Sequence, residues 1–459
     1  MDRRRNALVV ASAGYFFVLL DVTIVNVALA RIGADLGASR SELQWVVDAY
    51  ALFLAAFMLG AGDLADRLGS RRLFLAGLAT FGLASAACAA APSTPILIGA
   101  RVVQGLGAAA ILPTSLAVVN QLYSDPQERP RAIGLWAGIG SSALVLGPVL
   151  GGVLVGPLGW RAIFALNVPL VALSLLAGAK LLPEGPSADA ARADLPGQLL
   201  GTVALAALVF ALIDGGHSGF GRAPVIAAAL IAVSALIAFV TVELRQDRPL
   251  LDVRWFSRRE FSGANAGAGL MNLGTLGALF ALSLFLQNAR GLSPLRTGLN
   301  LVPLAAPLAV LALFSGRLVA RIGPRLPAGL GLLGCGVAYL GLSTHAVAID
   351  GPLGWALLAL AGTGMGVAVP GLVAGATEAL GADRAGIASA VNNTSRQVGG
   401  AVGVALIGGF ATVYASLLAS GLALSLGGIT ALALLGAATP GRSTCPDRAW
   451  RRRGVGGLP

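Results

Sequence analysis

Charge is scarce in this 459-residue chain: 12% of residues are Asp, Glu, Lys or Arg, while 56% are hydrophobic. A soluble globular chain is usually about one quarter charged, so the scarcity excludes that class and points to the membrane. Histidine is nearly missing, and His217 and His345 lie far apart, which leaves no basis for a histidine metal centre. Cysteine is equally sparse. Cys88 and Cys335 sit in apolar runs and Cys445 in a polar tail, a spacing that gives neither a disulfide framework nor a zinc site. No loop is long enough for a soluble catalytic domain, and the apolar runs hold no nucleophile–base pair, so an enzyme is not expected. Lysine is almost absent, and arginine takes its place in short gaps between apolar runs. The net charge of +11 is therefore read as cytoplasmic loop chemistry rather than a nucleic-acid-binding face. The arginine bias with abundant Ala and Gly suggests a GC-rich bacterial source.

Long apolar stretches are what the chain does have. A bilayer-crossing helix needs about 20 mostly apolar residues. Spans meeting that criterion fall near 7–30, 43–62, 73–92, 95–119, 132–156, 161–182, 196–213, 223–243, 264–287, 298–316, 327–348, 352–376, 386–413 and 416–438. The first run resembles a secretory signal but is longer than the roughly 7–15 apolar residues of one, and Asp21 interrupts it, so it is read as a retained span. Most of the arginines fall in alternate gaps, which predicts both termini on the cytoplasmic side.

An internal repeat organises these spans. Gly62-Asp-Leu-Ala-Asp66-Arg67-Leu-Gly69-Ser-Arg71 returns 254 residues later as Gly316-Arg-Leu-Val-Ala320-Arg321-Ile-Gly323-Pro-Arg325. Gly105-Leu-Gly107 followed by Pro113 returns 257 residues later as Gly362-Thr-Gly364 followed by Pro370. Two copies in one orientation predict two six-helix bundles with a substrate site between them at mid-membrane. The expected organisation is a first bundle over 1–182, a polar linker over 183–195 and an inserted helix pair over 196–243. A cytoplasmic loop over 244–263, a second bundle over 264–438 and a disordered tail over 439–459 complete it.

Against this background the polar residues inside spans stand out. Asp21 and Asn26 lie in the middle of span one, Arg101 and Gln104 one turn apart in span four, and Asn272, Asn392 and Asn393 in the second half. A charge at such depth costs at least a few kcal/mol unless it faces a protein interior or a watery cavity. Arg101 lies close enough to the outer end to snorkel, but Gln104 gives it a polar face, which favours the interior. Ser41-Glu-Leu-Gln44 reads as a capping box opening span two, which sets Asp48 about 9 Å into the membrane. At the repeat positions Asp21 and Arg101 correspond to Ala278 and Leu358, so the titratable chemistry is expected in one half only.

Several of these elements resemble the major facilitator superfamily. Gly62–Arg72 is similar to its G-x-L-a-D-R-x-G-r-k motif, in which Asp66 with Arg67, Arg71 and Arg72 would form a gating charge network around Gly62 and Gly69. The second copy has Ala320 in place of the acid, so that network is expected to be asymmetric. Ala100–Gly107 resembles the family's R-x-x-q-G-x-g element. Gly147-Pro148-Val-Leu-Gly151-Gly152 resembles the G-P-x-x-G-G element of its antiporters. Trp160–Pro169 and Leu20–Leu29 are similar to segments of the fourteen-span drug:proton antiporter family, although Ala30 stands where that family has proline. Gly386–Gly400 resembles its thirteenth span, in which Arg396 either lines the cavity or reaches back to the cytoplasm.

The resemblance implies an all-α polytopic membrane protein with the major facilitator fold. It also implies proton-coupled export of lipophilic, often cationic drugs across a bacterial cytoplasmic membrane. Asp21 with Arg101 would couple the proton, because the carboxylate can hold a proton or a cationic substrate but not both. Asn26, Asp48, Gln104, Asn272, Asn392 and Asn393 are the substrate-cavity candidates. The only partners expected are a small-molecule substrate, protons and the lipid bilayer, with no nucleic acid, no cofactor beyond the proton gradient, and a monomer as default. A narrow-specificity metabolite exporter or importer, or a non-transporting receptor, are the alternative readings.

Overall fold

The computed structural model describes residues 3–123, 125, 128–184, 194–246, 249–344, 349–381, 384–410 and 412–435, with backbone alone at Asp66, Pro130, Ala312 and Leu313. Most of the expected linker and all of the expected tail lie outside the described residues. Those residues form fourteen long helices and no strand. The first bundle comprises α1 (Arg3–Leu36), α2 (Arg40–Leu68), α3 (Ser70–Ala90), α4 (Thr94–Leu122), α5 (Arg129–Leu158) and α6 (Arg161–Leu181). The inserted pair is α7 (Leu195–Ser218) and α8 (Ala223–Arg245). The second half comprises α9 (Arg259–Leu284), α10 (Pro294–Ile322), α11 (Arg325–Thr344), α12 (Pro352–Leu380), α13 (Ala385–Ile407) and α14 (Val413–Leu434). A one-turn π-helical segment, Phe285–Ala289, extends α9.

In the bilayer only structures that satisfy their own backbone survive, which is why each apolar stretch is helical. Proline opens α4, α7, α8, α10 and α12 in the first turn, where its missing N–H costs nothing. The box that opens α2 is Ser39 with Glu42, not the expected Ser41 with Gln44: Ser39 N donates to Glu42 Oε2 at 2.8 Å and Glu42 N to Ser39 Oγ at 3.3 Å. Both pairs fit the motif, but only Ser39 has the extended backbone a cap requires. Asp48 consequently sits about 12 Å along the helix rather than 9 Å. Thirteen of the helices are long and apolar enough to cross a membrane. α13 falls short because it carries the polar run Asn392–Gln397, which a helix facing bulk lipid would not tolerate.

The repeat is visible in the packing. α3 lies on α4 as α11 lies on α12; α2 on α4 as α10 on α12; α1 on α5 as α9 on α13; and α3 on α6 as α11 on α14. Its glycines mark the crossings. A Cβ on Gly105 would lie 2.5 Å from the Tyr50 carbonyl oxygen, and one on Gly362 would lie 2.0 Å from the Leu304 carbonyl oxygen. Gly107 meets α3 at Gly77 and Phe81, as Gly364 meets α11 at Gly331 and Cys335. Each G-x-G therefore serves two neighbours, the first glycine admitting one helix and the second another.

The halves meet along α5–α10 and α2–α13, and α7 packs into the groove between α2 and α13. Contact is tight toward the face opposite the arginine-rich loops. There Arg40 Nε donates to the Gly408 carbonyl at 3.0 Å, Gln44 Nε2 to the Val404 carbonyl at 2.9 Å, and Gln287 Nε2 to the Val27 carbonyl at 2.9 Å. Toward the arginine-rich face, Gly62, Gly134, Gly316 and Gly386 have nothing within 4 Å of an added Cβ.

Candidate functional site

Asp21 and Arg101 meet in the interior of the first bundle, with 0% and 1% of their side chains exposed. Arg101 Nη1 donates to Asp21 Oδ2 and, at 2.8 Å, to Gln104 Oε1, and Arg101 Nε donates to the Val46 carbonyl at 2.9 Å. Gln104 Nε2 donates to Asp21 Oδ1 at 2.8 Å and to Ser85 Oγ at 3.0 Å. The guanidinium stacks over the Tyr50 ring at 4.3 Å. Helices α1, α2, α3 and α4 all contribute, so every lobe of the cluster is held. A lone carboxylate here would cost several kcal/mol; the paired cation and the two donors to separate oxygens offset that cost. Arg101 points inward and does not snorkel.

This cluster borders a cavity of about 20 Å³ between the halves, room for about one water molecule. Arg101, Tyr50 and Asn26 form its first-half wall, and Leu276, Gln397 and Gly400 its second-half wall. Asn26 Nδ2 donates to its own helix at Val22, leaving Oδ1 buried and without a partner at that wall. Ala278 and Leu358, the repeat counterparts of Asp21 and Arg101, are fully buried in an apolar core. The second half therefore has no counterpart of the Asp21–Arg101 pair at these two positions.

The other candidates separate. Asn393 reaches across the interface, its Nδ2 donating to Met58 Sδ at 3.6 Å. Asn392 turns into its own half, donating to the Ala264 carbonyl at 3.2 Å, and Asn272 sits at the α9–α13 crossing beside Gly400. Asp48 is fully buried but is not among the residues that line the cavity. Arg396 lies within electrostatic range of Tyr15 on α1 of the other half, and it is not among the residues that line the cavity. Tyr15 in turn stacks on Trp136 at 4.3 Å.

The two glycine motifs are more divided than their spacing suggests. Gly147 and Gly151 admit α1, at Thr23 and at Ile24 and Val27, whereas Gly152 admits α10 of the other half, at Pro294 and Leu295. The Pro148 carbonyl lies against Gly298, also on α10. At the α2–α3 turn Gly69 has φ +86°, a conformation that favours glycine. Arg67 pairs with Asp63 at 2.6 Å, and Arg71 pairs with Glu184 at 2.8 Å, partners that the expected network around Asp66 did not include. Arg72 is exposed, Gly62 half-buried, and the side chain of Asp66 lies outside the described residues.

Tyr50, Ser85 and Gln397 belong to the site and were not legible as such. A single tyrosine or serine in an apolar run carries no pattern; only the three-dimensional convergence on Arg101 and the cavity identifies them.

The chain is similar to known proteins over most of its length. The chain is 38% identical over 411 residues to the multidrug resistance protein Stp of Mycobacterium tuberculosis, covering 89% of this chain and 76% of that one. It is 36% identical over 435 residues to the methylenomycin A resistance protein of Streptomyces coelicolor, covering 92% and 91%. It is 32% identical over 406 residues to the tetracenomycin C resistance and export protein of Streptomyces glaucescens, covering 87% and 74%. In fold it is similar to the human organic anion transporter MFSD10, with a TM-score of 0.65 at 18% identity over 94% of this chain and all of that one. The family model of the Major Facilitator Superfamily matches residues 11–404. Two halves built alike, a family model that matches most of the chain and this span of sequence agreement together mean that the chain belongs to the Major Facilitator Superfamily, a family of transporters and not of enzymes.

Proposed function

We propose that the protein exports lipophilic, cationic drugs or toxic compounds in exchange for protons, by alternating access across a bacterial cytoplasmic membrane. The observation that carries this reading is the Asp21–Arg101–Gln104 cluster beside the cavity between the halves. Asp21 would hold a proton in one stage of the cycle and release it when a cationic substrate draws on the same charge. Similarity to proteins named for resistance to multiple drugs, methylenomycin A and tetracenomycin C supports export as the direction. Small-molecule substrate and protons are the only partners the cycle needs, with the proton gradient as its energy source.

Purified protein in liposomes with an imposed pH gradient tests the reading. Substrate addition is expected to release protons from the wild type and not from Asp21→Asn. Unchanged proton release in Asp21→Asn would refute the role of Asp21, and protection against one compound only would point to a narrow metabolite exporter instead.

A further inference from the structure

Asp48 is the buried acid that the cluster above does not use. It has 0% exposure, and neither Oδ1 nor Oδ2 has a hydrogen-bond partner. Successive residues turn by about 100° around a helix. On α2, Val46, Tyr50 and Phe53 face α4: the Val46 carbonyl receives Arg101, while the Tyr50 carbonyl and the Phe53 Cβ close on Gly105. Asp48 lies on the opposite side. That side is the one against α13 and α7. One turn outward Gln44 donates to the carbonyls of Val404 and Ala405 on α13, and Trp45 packs on Phe210 of α7 at 6.4 Å. One turn inward Leu52 and Ala55 pack with Leu205 and Val209 of α7 and Ala401 of α13.

The charged groups of the neighbouring helices are elsewhere. On α7 they are Asp214 and His217, about one and two turns outward of the level set by the Trp45–Phe210 contact. On α13 it is Arg396, which faces Tyr15. On α4 and α1 they are Arg101 and Asp21, engaged on the far side of α2, and Tyr15, Arg31, Asp35 and the first-turn arginines of α1 lie well above or below. On α3 they are Arg71 and Arg72 at the inner end. Arg40 and Glu42 of α2 itself occupy its first turn at the outer rim, and Asp63 and Arg67 its inner end. None of these compensates an ionised Asp48 in the closed interface, and a buried carboxylate without a donor or a cation is strongly disfavoured.

We infer that Asp48 is a second proton-binding residue, a latch on the outer gate that must be protonated before α2 can close against α13 and α7. When the halves part outside, water reaches Asp48 and the proton leaves; when outer protons return it, the neutral side chain permits the seam to seal. The inference rests on the proton-coupled reading, to which it adds the step that outer protons drive. Asp21 exchanges proton for substrate, and Asp48 makes closure itself depend on outer pH.

The test reads conformation rather than transport, so it is separable from the proton-exchange reading. Spin labels are placed through cysteines at Ala34 on α1 and Asn288 beyond α9, both exposed on the outer face of opposite halves, in purified full-length protein in which Cys445 is replaced by serine. Cys88 and Cys335 are buried. In the wild type the outer separation is expected to widen as pH rises from about 5.5 to about 8.5. Asp48→Asn is expected to stay narrow throughout. Asp48→Glu, which retains a titratable group, is expected to keep a pH response with a moved midpoint. A wild-type response in Asp48→Asn, or a response abolished by Asp21→Asn and not by Asp48→Asn, would overturn the inference, as would a wild type insensitive to pH. If proton exchange is absent in liposomes but the Asp48→Asn result holds, the exchange reading fails and the latch stands.

Discussion

Gly152→Ala should shift the protein toward its outward-open state, and the structure sets the scale of the shift. An added Cβ would lie 2.5 Å from Leu295 Cα and 2.9 Å from the Pro294 carbonyl oxygen, both backbone atoms of α10 that cannot rotate away. Normal contact requires α5 and α10 to part by about 1 Å, and overpacking of this kind costs about 1–3 kcal/mol. The cost falls only on the state in which the outer halves touch. It therefore moves the equilibrium about 5- to 150-fold toward opening, without loosening either half. Gly151→Ala is the control, because its Cβ would meet Ile24 and Val27 at 3.1–3.2 Å on α1, inside the same half, in both states. The assay is alkylation of a cysteine at Ala405, fully buried at the α2–α13 seam, by a membrane-impermeant maleimide added from outside. Faster labelling in Gly152→Ala than in wild type or Gly151→Ala is expected. Equal rates in all three, or acceleration by Gly151→Ala alone, would refute the assignment of Gly152 to the gate.

Three further outcomes follow from the packing and the charges. Arg101→Leu leaves Asp21 buried without its cation, a loss of the order of 3–5 kcal/mol, and the double variant with Asp21→Asn should recover part of the thermal stability measured in detergent. Gly105→Val and Gly362→Val should each reduce the yield of folded, monodisperse protein, because each side chain would enter a neighbouring helix backbone at Tyr50 or Leu304. Arg290 holds the Asp350 carboxyl below the usual carboxylate range through bonds of 3.0 and 2.9 Å. A lowered folded pKa means that the stability it contributes, at most about 1 kcal/mol at this accessible position, is present above pH 4 and lost as pH falls through the lowered value. The melting-temperature difference between wild type and Asp350→Asn should accordingly be constant near neutrality and vanish in acid.

Much of this architecture could be read from the chain because the bilayer leaves so few options. Span length, arginine bias and the 254- to 257-residue repeat each reflect a constraint acting on one helix at a time, and so survive in linear sequence. The Asp21–Arg101–Gln104 grouping was legible for a similar reason, since buried charges are costly enough to be rare. What escaped depends on helix rotation. Asp48 and Val47 are neighbours in sequence, yet Val47 borders the cavity and Asp48 does not. Asn392 and Asn393 part in the same way, one into its own half and the other across to Met58. Gly151 and Gly152 divide between packing and gating within a single motif. An apolar helix buried on several sides has no polar face to fix its rotation, so adjacent residues cannot be sorted before their neighbours are known. The capping box slipped by two residues for a simpler reason, that Ser39 and Ser41 offer the same side chain and differ only in backbone.

The neutrality of the Asp21–Arg101 pair reverses the usual electrical logic of a carboxylate carrier. An isolated acid is negative when empty and neutral when loaded, so voltage acts on its empty form. Here the empty cluster sums to zero, and the proton-loaded cluster carries one positive charge in a dry interior. In the proposed cycle membrane potential would therefore pull on the loaded form, at about 2.3 kcal/mol per 100 mV for a full crossing. Proton delivery would quicken with voltage, and the movement of the unloaded cluster would be indifferent to it.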